Sequence, residues 1–171
     1  MIQRMLEAAL LNPKAFEEIE ADQSATKQAL IIVVLASIAT SIGSPNTTIG
    51  IATTISGILL AVIGWAVWAW ITYFVGTKLL RTEATEANWG ELARTLGFAQ
   101  SPGLLKVFGV LPFIGPYIFI TAVFWQLAAH IIAIRQALDY TSTLRAISVA
   151  LIGFLPYVIL MSILYSFLGE A

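Results

Sequence analysis

From Ile49 to Val75 the chain carries no aspartate, glutamate, lysine or arginine, and the same holds for Tyr117 to Ile134 and for Ala146 to Phe167. A helix needs about 20 mostly apolar residues to cross the hydrocarbon core of a bilayer. Inside that core every backbone N–H and C=O must find its partner within the chain, which leaves only helices and closed barrels as spanning forms. Ala29 to Ile42 is shorter and also uncharged. The whole chain agrees: 58% of residues are hydrophobic and 11% charged, where a soluble domain carries about a quarter charged. The expected fold class is all-α, a polytopic integral membrane protein with five transmembrane helices.

The fifth helix of that count, third in order, is the difficult one. Arg94, Lys106 and the breaker Ser101, Pro102 and Gly103 interrupt the run from Leu92 to Ile114. At 1.5 Å per residue Leu104 to Ile114 would reach only about 16 Å, so this span is read as short or broken.

Lysine and arginine then set the topology. Arg4, Lys14 and Lys27 precede the first span; Lys78, Arg81, Arg94 and Lys106 follow the second; Arg135 and Arg145 follow the fourth. The alternate connections, Ser44 to Thr48, Leu111 to Pro116 and the terminal Gly169 to Ala171, contain none. The positive-inside rule gives an amino terminus inside and a carboxyl terminus outside. The expected organisation is a cytoplasmic segment 1–26, a membrane domain 27–168 and an outer tail 169–171. Charged side chains run through the first 26 residues, so no cleaved secretory signal is expected there.

Within that segment Ile2, Met5, Leu6, Ala9 and Leu10 recur at helical spacing, and Asn12 with Pro13 offers a cap for a second helix bearing Phe16 and Ile19. Both read as amphipathic helices on the membrane surface. Trp68, Trp70, Tyr73 and Phe74 mark the inner boundary of the second span, whereas Trp65 and Trp125 lie deeper and are expected to pack against neighbouring helices. One-turn pairs of small residues, Ala52 with Ser56, Gly57 with Ala61 and Ser37 with Ser41, suit close helix contacts.

Several function classes drop out. A net charge of −1 gives no basic excess for nucleic acid, and the absence of cysteine excludes thiolate metal sites and a cysteine nucleophile. No zinc-helix motif, serine elbow or phosphate loop is present, and there is one histidine. Neither an enzyme nor a metal or cofactor is expected.

What polarity remains is concentrated. Between two apolar runs lies RQALDYTSTLRA, residues 135–146. In one reading it is the solvated turn between helices, with Arg135 complementing a helix carboxyl end and Asp139 or Thr141 to Thr143 capping the next. In the other, Lys106, Arg135, Asp139 and Arg145 form an inner-face site for an anionic head group or a partner's acidic motif. Arg135 and Asp139 would share a helical face four residues apart. Gln126 and His130, also four apart, are intramembrane polar groups expected to make an interhelical hydrogen bond. The break at Ser101, Pro102 and Gly103 leaves backbone groups to be buried or to line a cavity, which supports an alternative reading as a small transporter or channel.

Three stretches carry a resemblance: NPKAFEEI near the amino terminus, WGELARTLGFAQSPGLLKVFGVLPFIG from Trp89, and IIAIRQALDYTSTLRA from Ile131. Together they resemble the Yip family, the Rab/Ypt-interacting "Yip-one" domain of five-span membrane proteins, from about Pro13 to Phe167. The resemblance implies binding or scaffolding in membrane organisation or trafficking, association with other membrane proteins, and a small GTPase partner in Golgi and endoplasmic reticulum members. Those members carry a long amino-terminal region with an acidic-tyrosine-glycine-proline segment that this sequence lacks, so it resembles the compact prokaryotic form. A bacterial inner membrane is the expected location, with membrane lipids, anionic ones included, and homo- or hetero-oligomeric partners.

Overall fold

A computed structural model describes residues 1–44 and 50–169, with backbone only for residues 51, 52 and 167–169. The expected cation-free loop at 45–48, residues 170–171 of the tail and the side chain of Ala52 lie outside the described residues. The described residues form helices and contain no strand: α1 Ile2–Ala9, α2 Pro13–Ala21, α3 Ala25–Gly43, α4 Ile51–Phe74, α5 Trp89–Phe98, α6 Gly115–Ala137 and α7 Thr143–Gly169. A π-helical turn, Val75–Leu79, extends α4, and a 3-10 helix, Ser101–Val110, follows α5.

Among the described residues four helices are long and apolar enough to cross a membrane: Ala25–Gly43, Thr53–Leu79, Gly115–Ala137 and Thr143–Ser166. The protein is thus polytopic and all-α, with four such helices where five were expected. The third expected span is instead α5 joined to the 3-10 helix. Ten residues of 3-10 helix rise about 20 Å, short of the roughly 30 Å of hydrocarbon.

Local chemistry explains the boundaries. Asn88 and Glu91 form a capping box at the start of α5, the Asn88 side chain accepting from Glu91 N–H at 3.1 Å and the Glu91 carboxylate from Asn88 N–H at 2.8 Å. Asn12 accepts from Lys14 N–H at 3.2 Å, with Pro13 opening α2. Pro102 and Gly103 end the α-helical path, and Ser101 Oγ–H donates to the Phe98 carbonyl at 2.6 Å.

The core lies toward one end of the bundle. Phe16 and Ile19 of α2, Leu92, Leu96 and Phe98 of α5, Ile32 of α3 and Ile134 of α6 are all fully buried in one apolar cluster. Helix α5 is enclosed by protein: Leu92 to Ala99 are buried without exception, with Trp65 Nε1–H donating to the Ala93 carbonyl at 2.8 Å and Gly97 pressed on Ala29 of α3. And α2 is an integral wall of the core, where surface adsorption was expected. Among the described residues nothing of this chain lies within 4 Å of the place a Cβ at Gly57 would occupy, so Gly57 makes no close helix contact inside the subunit. Close contacts form elsewhere, at Gly43, Gly109 and Gly115, where the backbones of α3, the 3-10 helix and α6 meet.

Candidate functional site

Two polar regions stand out among the described residues, one at each end of the bundle. At the first, α6 ends in a Schellman motif: Tyr140 N–H donates to the Arg135 carbonyl and Asp139 N–H to the Gln136 carbonyl, both at 2.9 Å. Asp139 takes the left-handed position with φ 52°, which aspartate tolerates better than most residues. It therefore does not continue α6, and the expected shared face with Arg135 is not formed. The Arg135 guanidinium instead bonds forward, Nε–H to the Tyr140 carbonyl at 3.2 Å and Nη1–H to Thr143 Oγ1 at 3.3 Å.

The π turn supplies the other half of this region. Its widened winding leaves carbonyls that no α-helical N–H meets, and the Tyr140 hydroxyl lies 3.0 Å from the Gly76 carbonyl and 2.9 Å from that of Leu80. Arg145 Nη1–H also donates to the Leu80 carbonyl, at 3.1 Å, and its guanidinium lies 5.7 Å from the centre of the Tyr140 ring. Burial pushes the Tyr140 phenol up, against the opposing charge of Arg145. Tyr140 thus binds the α4 end to the α6–α7 turn, a role that no sequence signal marked except its place in the polar stretch. Tyr140→Phe is expected to lose about 1 kcal/mol, read as a lower melting temperature in detergent with the helical content unchanged.

Beside this turn lies a carboxylate cluster. The carboxyl of Glu20 on α2 is raised to about 7, first by burial and then by the nearby charges of Asp139 and Glu91, with Arg94 opposing. Arg94 is only 7% exposed, and its Nε–H and Nη2–H both donate to the backbone carbonyl of Glu20. It ties α2 to α5. Glu20 and Arg94 were not among the expected site residues, because each reads in sequence as an ordinary charge on an amphipathic helix.

Lys106 is not with Arg135 and Arg145. Its carbonyl abuts Gly43 at the far end of α3, and its ammonium lies 5.8 Å from the centre of the Phe119 ring near the start of α6. The four expected residues therefore divide into an adjoining trio and one distant lysine.

Lys106 belongs to the second region, a cavity of about 770 Å³ that also takes in Gln126 and His130. Gln126 Nε2–H donates to Gln100 Oε1 beside the helix break, and Gly103 lies against the same amide. His130 Nδ1 is 2.8 Å from the Gln126 carbonyl of its own helix, not bonded across helices as expected. Trp65, Trp68 and Tyr157 form apolar wall, with the Trp68 and Tyr157 rings edge to face at 5.2 Å. Trp65 thus packs as expected while also facing the cavity. Trp125 is more exposed, and its Nε1–H donates to the Ala9 carbonyl at 2.6 Å.

No curated protein and no solved structure matches the chain. The family model described as the Yip1 domain does match, over residues 8–163. That range takes in most of the chain, from the end of α1 through the core helices, both polar regions and most of α7. The chain is an integral membrane protein belonging to the Yip1 domain family.

Proposed function

We propose that the protein acts as a non-enzymatic binding and scaffolding module that shapes one leaflet of its membrane, with the amino terminus on the cytoplasmic side of a bacterial inner membrane. One observation carries this reading: α1 and its capping residue present Ile2, Leu6 and Leu10 outward, 70%, 60% and 74% exposed, while the helix is fastened to the bundle. The Trp125 bond to Ala9 holds its carboxyl end to α6, and an Arg4–Asp22 ion pair at 2.6 Å holds it to the α2–α3 junction. An apolar stripe on a short helix belongs in the boundary between head groups and acyl chains. Fixed there on one side only, it adds area to one leaflet. The lysine and arginine asymmetry favours the cytoplasmic leaflet, and exposed Arg145 is placed to meet anionic head groups there.

The test is reconstitution into large vesicles at increasing protein density. Wild type is expected to reduce vesicle diameter or draw tubules, and Ile2, Leu6 and Leu10 changed together to serine should leave protein-free dimensions. Equal remodelling by both would remove the wedge. Separately, Arg145→Ala is expected to co-purify with less anionic lipid, as read by mass spectrometry, while Asp139→Asn should remain folded because asparagine also accepts the left-handed position.

A further inference from the structure

The cavity at the Lys106 end has a chemistry that the wedge does not use. Its lining contains one lysine and no carboxylate, and among the described residues no carboxylate approaches the Lys106 ammonium within ion-pair distance. A lysine within a membrane bundle ordinarily pairs with an opposite charge or faces a water-filled cavity. Two further polar atoms, Ser37 Oγ and Gln126 Oε1, are buried without a hydrogen-bond partner, and both residues line the same space. Toward the other end the wall becomes aromatic, with Trp65, Trp68 and Phe154. Gly57 lines the same space, and among the described residues nothing lies within 4 Å of the place its Cβ would occupy.

We propose that this cavity binds a single-chain amphiphile with an anionic head, drawn from the lipid phase. The head meets the Lys106 ammonium among the hydroxyls of Ser41, Ser44 and Thr54, and the acyl chain runs along Trp65, Trp68 and Phe154. Charge sets the sign of the head, since the wall supplies a cation with no counter-charge of its own. Apolar length sets the tail. An acyl chain gains little by leaving lipid for an apolar cavity, because lipid is as apolar as the wall; selectivity must therefore come from the head group. The volume lies within the range of about 300–1,000 Å³ usual for small-molecule sites, which suits one chain.

The full-length protein in a non-ionic detergent can be examined by native mass spectrometry with four probes: oleate, oleoyl lysophosphatidylglycerol, methyl oleate and inorganic phosphate. One saturable adduct per chain is expected with oleate or with the lysophospholipid, and which of them binds identifies the head as carboxylate or phosphate. Lys106→Gln should weaken that adduct by about tenfold or more, the loss of a charged hydrogen bond, and Lys106→Arg should retain it. Methyl oleate binding as well as oleate would overturn the proposal on wild-type protein alone, whatever the folding of the variants. Inorganic phosphate binding as tightly as either amphiphile would overturn it too, by showing a site for a free anion.

Discussion

Gly43→Val is expected to lower the melting temperature of the detergent-solubilised protein by the largest margin of any single change at the far end of the bundle. A Cβ at Gly43 would overlap the backbone carbonyl of Lys106 and lie 3.3 Å from the Gly109 nitrogen. Gly109 in turn sits on the Gly43 carbonyl, and Gly115 on that of Gly109. Because these neighbours are backbone atoms, no rotamer change can make room. Overpacking of this kind costs about 1–3 kcal/mol, and here three segments must move together. Gly57→Ala is the control, since its Cβ meets nothing within 4 Å among the described residues; it should melt within a degree or two of wild type or above it, with alanine the better helix former. Equal melting of Gly43→Val and wild type would contradict the close crossing.

Arg94→Met should detach the amino-terminal helices, and wild type itself should hold them less tightly as pH rises. The substitution removes charged hydrogen bonds to the Glu20 carbonyl in a buried place, a loss of about 1.5–3 kcal/mol. The pH dependence comes from the Glu20 carboxyl, raised from 4.5 to about 7 when α2 is docked. Below 4.5 it is protonated docked or free, so it contributes no penalty. Between 4.5 and about 7 the docked form binds the proton more tightly than the free form, and docking weakens with rising pH. Above 7 the penalty is complete, moderated by the water that reaches this half-buried group. Asp22 adds no slope there: hydrogen bonds from Ser24 and then Arg4 hold its carboxyl at about 2, charged throughout. Hydrogen exchange in α1 and α2, corrected for intrinsic rates, should therefore rise from pH 5 to pH 8 in wild type. Glu20→Gln should flatten that profile, and a profile unchanged by it would sink the assignment.

How far the sequence could be read depended on the range of the interactions. The four helices long and apolar enough to cross a membrane were legible because each contains an uncharged apolar run. The Asn12 and Pro13 start of α2 and the Ser101, Pro102 and Gly103 break were legible because two or three consecutive residues determine them. Helix α2 was misplaced because Lys14, Glu17 and Glu18 flank apolar Phe16 and Ile19 as they would on a membrane surface. Only its contacts with α5 and α6, 74 residues away in the case of Arg94 to Glu20, bury it. Lys106 was misplaced because counting charges by connection assumes that a connection stays on one side, whereas the 3-10 helix carries this lysine to Gly43. A cavity at the break was one of two sequence readings, but its wall was not legible: it comes from α3, α4, α6, α7 and the residues around the break, and no short pattern encodes it. Tyr140 was hidden for a similar reason, its acceptors being carbonyls 60 and 64 residues away.

The leaflet-shaping function proposed for this protein depends on α1 lying with its apolar stripe in lipid. The chain has no cysteine, so Leu6→Cys introduces a single labelling position. A nitroxide there, in the full-length protein reconstituted into vesicles, can be measured for collision with oxygen and with a water-soluble nickel chelate. The expected result is frequent collision with oxygen and little with the chelate, as for a label below the head groups. Free collision with the chelate would place α1 in water and contradict the account.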